Sequence, residues 1–377
     1  MIQVAVDSSS FKYFQDLLEP AGITLNGSRD WDIQVRHPDL FRRVMRTGTL
    51  GLGEAYMDGW WDCRRIDELI CRGLKAGLED VLRKNLKFVA FLIASRLFNR
   101  QSYRRAFDVA THHYDVGNDL FEAMLDPYMN YSCGYWADST DLASAQKAKM
   151  ELICGKLQLE QGMRVLDVGC GWGGLSRWMT QQYGVEVTGI TISKEQADLA
   201  RQLCHGLPIT IELMDYRSLT GCFDRIVSVG MFEHVGFRNY RAYFKVIRSL
   251  LVSGGLFLLH TIGTGRKNYS PDPWIEKYIF PNGVVPSPQA IVDCSNQLFM
   301  IEDWHNFGAD YDATLMAWYR NFEDGWESLR SRYDERFRRM FEYYLLSCAG
   351  AFRAQENQCW QVVFSMGGLE GGYRSIR

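Results

Sequence analysis

The run Arg164-Val-Leu-Asp-Val-Gly-Cys-Gly-Trp-Gly-Gly174 decides the fold. An apolar strand ends in a glycine-rich turn, and a helix follows. Glycines at 169, 171 and 174 stand at the G-x-G-x-x-G spacing of a nucleotide-binding turn, where a side chain would keep a ligand off the backbone. That spacing alone fits either a dinucleotide or S-adenosylmethionine. A dinucleotide site expects an acid at the end of the second strand, to grip the ribose hydroxyls. Here that strand reads Val185-Glu-Val-Thr-Gly-Ile-Thr191, and its C-terminal end carries no acid. Thr191, Ser193 and Gln196 are what a ribose meets instead. Asp167, two positions before the first glycine, is typical of S-adenosylmethionine-dependent methyltransferases. It can orient the turn or reach the ammonium of the methionine moiety.

Working outward, strand–helix alternation begins near 163 and marks a doubly wound α/β sheet. Strands are predicted at 163–169, 185–191, 208–213, 223–229 and 256–262, with helices between them at Lys194 to Cys204 and Tyr240 to Leu251. Strands near 298–305 and 359–366 fit the antiparallel addition usual in methyltransferase sheets. The predicted fold is a seven-stranded class I methyltransferase (Rossmann-like) domain preceded by a small, mostly helical N-terminal domain. The expected division is 1–104 for the helical domain and 105–377 for the catalytic one. The N-terminal part has turns at Asn26-Gly27 and Thr47-Gly48. The segment 311–356, helical and rich in aromatics and arginine, reads as a cap over the site.

Bulk numbers narrow the function. A net charge of -3 makes no global case for a nucleic-acid binder. An aromatic share of 14% suits a protein that handles apolar material, and equally a well-filled core. None of the ten cysteines pairs at C-x-x-C spacing, so no structural zinc and no other metal is expected. The start, Met1-Ile-Gln-Val-Ala-Val-Asp7, lacks the charged and apolar regions of a signal peptide. Reduced thiols in a cytoplasm are the expectation. No segment reaches the roughly 18 apolar residues of a membrane span. Between Asp80 and Asp108 there is no acid but seven bases, Arg83, Lys84, Lys87, Arg96, Arg100, Arg104 and Arg105, interleaved with bulky apolar residues. Such a helix either lies in a bilayer interface or packs on its own domain with its bases solvated.

Several phrases then carry a resemblance. They are Gly51-Leu-Gly-Glu-Ala-Tyr-Met-Asp-Gly-Trp-Trp61, His113-Tyr-Asp-Val-Gly-Asn118, Tyr131-Ser-Cys-Gly-Tyr135 and Gly230-Met-Phe-Glu-His-Val-Gly236. Further on come Pro273-Trp-Ile-Glu-Lys-Tyr-Ile-Phe-Pro281, Glu302-Asp-Trp-His-Asn-Phe-Gly-Ala-Asp-Tyr311 and Cys348-Ala-Gly-Ala-Phe352. In order and spacing they resemble the bacterial cyclopropane-fatty-acyl-phospholipid synthases over nearly the whole chain. The resemblance implies methyl transfer from S-adenosyl-L-methionine to the double bond of a phospholipid acyl chain. Proton loss then closes a three-membered ring, with a bound bicarbonate as the base. It also implies work at a phospholipid bilayer surface from the inner face of the cell membrane, and a homodimer.

The same resemblance makes Glu233, Tyr311 and Cys133 contacts of the bicarbonate, with the Ile262 backbone beside them. His260, expected at the end of the fifth strand, can hydrogen-bond the anion or relay its proton, and is otherwise a satisfied core histidine. Tyr131 and Ser132 would touch the methionine carboxylate. Gly169 and Gly171 would lie against the amino-acid part, and Thr191 and Gln196 near the ribose. Asp215 would bind the adenine amino group, or simply cap a helix. Tyr278, Phe280, Trp304 and Phe307 are candidates to line an acyl pocket, or ordinary core. A nucleophilic role for Cys348 stands against direct methyl transfer, which needs no covalent enzyme intermediate, and against a buried structural thiol. Rival outcomes are a methyl-branched or methylene product, a membrane scaffold with a vestigial cofactor site, and a nicotinamide oxidoreductase. The last fails at the acid missing after the second strand.

Overall fold

The computed structural model describes residues 8–78, 117–265 and 271–377. The basic stretch between Asp80 and Asp108 and the expected boundary at 104 lie outside the described residues. The chain forms two compact units, each assembled from separate stretches.

One unit comprises Asn99–Tyr269, Asn282–Ala317 and Gln358–Arg377. It holds strands β1 (Arg164–Val168), β2 (Glu186–Thr191), β3 (Ile209–Leu213), β4 (Phe223–Val229), β5 (Leu251–Gly263), β6 (Met300–Asn306) and β7 (Gln358–Ser365). They form one seven-stranded sheet in the order β3-β2-β1-β4-β5-β7-β6. β1 to β5 pair in parallel, and β7 runs antiparallel between β5 and β6. The parallel strands are apolar on both faces because helices cover both. Leu166, Ile226, Phe257 and Phe364 pack on one face with Tyr243, Phe244 and Ile247 of helix Tyr240–Leu250. Val165, Val227, Leu258 and Val363 pack on the other with Met150 and Ile153 of helix Leu142–Lys156 and Met179 of helix Gly174–Tyr183.

The seven strands lie where expected, with one difference that matters. β5 begins at Leu251, and His260 is followed by three more paired residues. The early start accompanies an irregularity where Phe223 pairs with Leu251 but Arg225 with Leu256. The late end is held by β7, whose Gln358 and Cys359 pair with Gly263 and Ile262. His260 is therefore inside the sheet and not at a strand end.

The second unit comprises Met1–Phe98, Ser270–Pro281 and Trp318–Asn357. Its helices include Ser8–Leu18, Leu40–Thr47, Thr49–Met57, Ile66–Lys75 and Glu335–Arg353. The turn at Thr47-Gly48 separates two of them. A short ribbon of Gln34–Val35 with Trp61–Asp62, absent from the sequence reading, is also present. The segment expected as a cap is thus divided: from Trp318 onward it groups with the N-terminal helices. The physical reason is visible in helix Glu335–Arg353. A Cβ at Gly350 would fall 2.4 Å from the Asp67 carbonyl oxygen, so the two backbones touch. Beside it Arg353 donates to the buried Asp67 carboxylate at 2.6 Å.

Gly174, the last glycine of the turn, opens the helix Gly174–Tyr183. A Cβ there would stand 2.0 Å from the Tyr128 carbonyl oxygen. Backbone cannot yield as a side chain does, so Gly174→Ala is expected to destabilise the sheet unit by about 1–3 kcal/mol in urea unfolding. The same replacement at Gly265, which also lacks a positive φ and has nothing within 4 Å, is the control.

Candidate active site

The site is built at the carboxyl ends of the parallel strands, where open α/β sheets present their crevice. β1 delivers Asp167, which is buried and accepts from Ser176 Oγ at 2.8 Å. Burial raises its pKa to about 6, against the pull of the Ser176 hydroxyl and the Lys149 charge. After it, Gly169 and Cys170 both donate to the Ile190 carbonyl at 2.9 Å, which fastens the turn to β2. Gly171 has φ +55, and a Cβ there would meet nothing within 4 Å, so the turn faces open space. That space fits the ligand the turn predicts.

β2 ends at Thr191, whose hydroxyl donates to Gln196 Oε1 at 2.8 Å. Ser193 caps the helix Lys194–Leu203 that carries Gln196. All three are buried. Asp215 follows β3. Its carboxylate accepts from the Arg217 backbone at 2.9 Å and from both ends of the Arg217 guanidinium at 2.7 Å. The capping role weighed for Asp215 is therefore present, and an adenine contact would share a carboxylate already oriented by Arg217.

The loop Tyr131–Tyr135 lies on helix Leu142–Lys156 and on the first turns of helix Ala309–Leu329. Ser132 accepts from Lys149 Nζ at 2.8 Å, and its carbonyl accepts from Gln146 at 2.8 Å. Gly134 donates to Thr314 Oγ1 at 3.0 Å, and the Trp136 N–H to Asp310 Oδ2 at 2.7 Å. Tyr131 packs edge-on against Phe121 at 5.2 Å. Lys149 is fully enclosed, and burial lowers its pKa to about 8 although Asp126, Cys133, Cys359 and Asp167 all favour its charge.

Glu233 sits in the turn Phe232–His234 after β4. Its Oε1 accepts the Ile262 N–H at 2.6 Å, so that backbone donor is already used. Its Oε2 is buried with no hydrogen-bond partner among the described residues. Burial raises the carboxyl pKa to about 7, opposed by the Ile262 hydrogen bond. Tyr311 and Cys359, both buried, lie within electrostatic reach of Glu233, and the buried Cys133 lies within reach of those two. Burial pushes the Tyr311 hydroxyl pKa well up, with Cys133, Cys359, Glu233 and Tyr131 adding to it in that order. His260 Nε2 lies 3.2 Å from Cys359 Sγ, and its Nδ1 lies 3.4 Å from Gln361 Nε2. Burial, with Lys149 and Lys156 near, holds His260 neutral. Phe307 stands edge-on to the His260 ring at 5.5 Å, and Trp304 packs on Trp360 at 5.2 Å.

Tyr131, Ser132, Cys133, Asp167, Glu233, His260 and Tyr311 thus belong to one unit with the glycine turn. Cys348, Tyr278 and Phe280 do not: they belong to the helical unit. Cys348 is raised to about 12 by burial and by Asp272, the opposite of what a nucleophilic thiol needs. Tyr278 donates to Glu54 at 2.9 Å, and Phe280 packs on Tyr344 at 5.7 Å. The sequence reading missed Lys149, Lys156, Cys359 and Gln361. The available signals were weak: Cys359 and Gln361 alternate with apolar residues along β7, and the two lysines stand seven apart on a helix that also carries a buried apolar face.

A sheet of this order with a glycine turn after its first strand defines a class I methyltransferase fold. The chain belongs to the family of mycolic acid cyclopropane synthetases, whose model matches residues 101–362. It is 55% identical to the cyclopropane-fatty-acyl-phospholipid synthase of Escherichia coli (strain K12), over 98% of this chain and 97% of that one. The tuberculostearic acid methyltransferase UfaA1 of Mycobacterium tuberculosis is 34% identical over 85% of this chain and 80% of its own length. Among solved structures, the cyclopropane synthase MmaA2 from Mycobacterium tuberculosis matches with a TM-score of 0.65 and 30% identity, over 68% of this chain and 97% of that one. The mycolic acid cyclopropane synthase CmaA1, complexed with SAH and CTAB, matches with a TM-score of 0.64 and 33% identity, over 68% and 97%.

The raised pKa of Glu233 makes a stability prediction. The unfolded carboxyl ionises near 4.5 while the folded one keeps its proton to about 7, so wild type loses stability as pH rises between those values. Glu233→Gln removes that loss. Urea unfolding at pH 5 and pH 8 should show a wild-type decrease exceeding that of the variant by up to about 3 kcal/mol. Equal pH dependence in the two proteins would show that the carboxyl is not held protonated.

Proposed function

We propose that this chain adds a methylene from S-adenosylmethionine across the cis double bond of unsaturated acyl chains in membrane phospholipids. A cyclopropane ring results, with bicarbonate bound as the general base. The observation that supports the reading most directly is the buried Oε2 of Glu233, which meets no hydrogen-bond partner among the described residues, with Tyr311 in its electrostatic reach. An anion that still bears a proton fits there, because a carboxylate oxygen can accept that proton and a tyrosine hydroxyl can donate to the anion. S-adenosylmethionine supplies a methyl group on a sulfonium, and bicarbonate supplies a base for the proton lost from that methyl on ring closure.

The protein's own residues do the rest. Ser132 accepts from the buried Lys149 ammonium, which leaves its hydroxyl proton to donate to the methionine carboxylate, with Tyr131 alongside. Asp167 is near its ionisation point, and the ammonium of the methionine moiety would hold it charged. Gly169 and Gly171 form the floor, Thr191 and Gln196 meet the ribose, and Asp215 with Arg217 meets the adenine. Phe307 and the aromatic walls exclude water from carbons that become cationic, and ring faces favour that charge. Glu233, by accepting the anion's proton, raises its basicity.

We propose further that the enzyme works as a homodimer at the inner face of the cell membrane, holding the lipid surface from outside the bilayer. Among the described residues no helix is long and apolar enough to cross a membrane.

Mass and proton analysis of acyl chains tests this. Vesicles of unsaturated phospholipid would be incubated with the purified chain and S-adenosylmethionine, with and without added bicarbonate. One added methylene with loss of the olefinic proton signals, faster with bicarbonate, is the expected result. A retained alkene or a methyl branch would replace ring formation by simple methylation, the outcome suggested by the name of the tuberculostearic relative. Glu233→Gln is expected to lose at least a hundredfold in kcat while still binding S-adenosylmethionine, the usual scale for a lost proton-transfer partner, about 10²–10⁴.

A further inference from the structure

Helix Leu142–Lys156 turns a polar edge toward the loop Tyr131–Tyr135. Gln146 and Lys149, one turn apart, reach the same residue of that loop. Gln146 Nε2 donates to the Ser132 carbonyl at 2.8 Å, and Lys149 Nζ donates to the Ser132 hydroxyl at 2.8 Å. Lys149 also donates to Asn130 Oδ1 at 3.2 Å. The direction of that amide is fixed from both sides. Asn130 Nδ2 faces the Asp126 carboxylate at 3.1 Å, which accepts, while the ammonium only donates. Asp126 also accepts the Tyr128 and Asn130 backbone N–H groups at 2.9 and 2.8 Å, around Met129 with φ 59. That turn brings Asn130 and Ser132 to one ammonium.

A lysine is a costly way to fix a serine. Lys149 is 1% exposed, and a buried cation is unfavourable unless an anion pairs with it. A neutral amide could hold the Ser132 hydroxyl without that cost. Yet no carboxylate of the described residues forms a salt bridge with Lys149, and the third N–H of its ammonium meets no acceptor among them. Asn130 stands between it and Asp126. Asp167, at the end of β1, lies within its electrostatic reach. A buried acid and a buried base therefore stand together beside the glycine turn. The methionine end of S-adenosylmethionine carries the complementary pair, an ammonium and a carboxylate.

We propose that Lys149 is the counter-charge for the methionine carboxylate, acting through Ser132, and that it makes the site select a donor bearing that carboxylate. Donation from the ammonium to Ser132 Oγ turns the hydroxyl proton toward the carboxylate and polarises it. Asp167 meets the donor's ammonium at the same end. With the zwitterion bound, neither buried charge lacks an opposite one. Lys149 is a positioning residue: no proton and no methyl group passes through it. This deepens the proposed function and rests on its assignment of Ser132 to the carboxylate, not on which acyl product is made.

Calorimetry of the full chain tests this with two ligands, S-adenosylhomocysteine and its decarboxylated analogue. Wild type is expected to bind the first at least about tenfold more tightly, the scale of one hydrogen bond to a charged group. Lys149→Gln, which keeps a donor and loses the charge, should weaken S-adenosylhomocysteine at least about tenfold and the analogue less than about threefold. Lys149→Met should do the same. Ser132→Ala combined with Lys149→Gln should lose less affinity than the two changes summed. In turnover the loss should fall on the KM for S-adenosylmethionine more than on kcat. Equal weakening of both ligands would make Lys149 a purely structural residue and overturn the proposal. So would a loss confined to kcat and reversed by added bicarbonate, which would put the charge at the other anion's site. A wild type without preference between the ligands overturns it too, and needs no variant to fold. If selectivity follows the charge but no cyclopropane forms, the functional reading falls and the role of Lys149 stands.

Discussion

One face of the sheet buries an unusual amount of polar surface near the carboxyl ends of its strands. Asp167 of β1, His260 of β5, Cys359 and Gln361 of β7, and Asp303 and His305 of β6 sit there, under helix Leu142–Lys156. That helix contributes two buried lysines. Lys149 reaches Asn130 and Ser132, and Lys156 lies 3.0 Å from His305 and 3.5 Å from Asp303. A buried polar group without a partner is costly, so each of these groups constrains its neighbours. The glycine turn, the loop Tyr131–Tyr135 and the end of β5 are held in place by that mutual demand.

The electrostatics have a common direction. Burial drives Asp167 and Glu233 up to about 6 and about 7 and drives Lys149 and Lys156 down to about 8. The site is thus drawn towards neutrality while it stands without ligands. A cationic donor molecule and a small anion would each supply the charge that its carboxylate or hydroxyl neighbours lack. Binding and ionisation are then coupled, which suits a pocket that must exclude water from a carbocation. Asp303 keeps its charge by another route: Arg377 and Ser375 of the C-terminal segment bind it at 2.7 and 2.8 Å, so the last residues of the chain close the far end of the polar layer.

The helical unit shows how similar residue types can be structural. Asp67 is buried and paired with Arg65 and Arg353, and Glu54 gathers Arg43, Lys277 and Tyr278. Cys348, with its thiol held protonated, lies in this unit. Its neighbours Asp272 and Tyr343 belong to the packing of the helices around Trp274. Direct methyl transfer leaves it no chemical step to perform.

Local chemistry made much of this legible in the sequence. The central parallel strands were readable because they are short apolar runs bounded by turns, and the glycine turn because only glycine permits its backbone. The absent acid after β2 excluded a dinucleotide. The identities of Glu233, Tyr311 and Cys133 came from resemblance, since no local rule marks them. What the linear chain could not reveal was contact between distant segments. The end of β5 depends on pairing with β7, nearly a hundred residues away. The separation of Trp318–Asn357 from the sheet depends on Gly350 meeting Asp67. The surroundings of His260 depend on Cys359 and Gln361, about a hundred residues further along the chain. Periodicity and turn chemistry act over a few residues and are written in the chain. The pairing of buried polar groups is a property of the packed interior, and only the tertiary structure decides it.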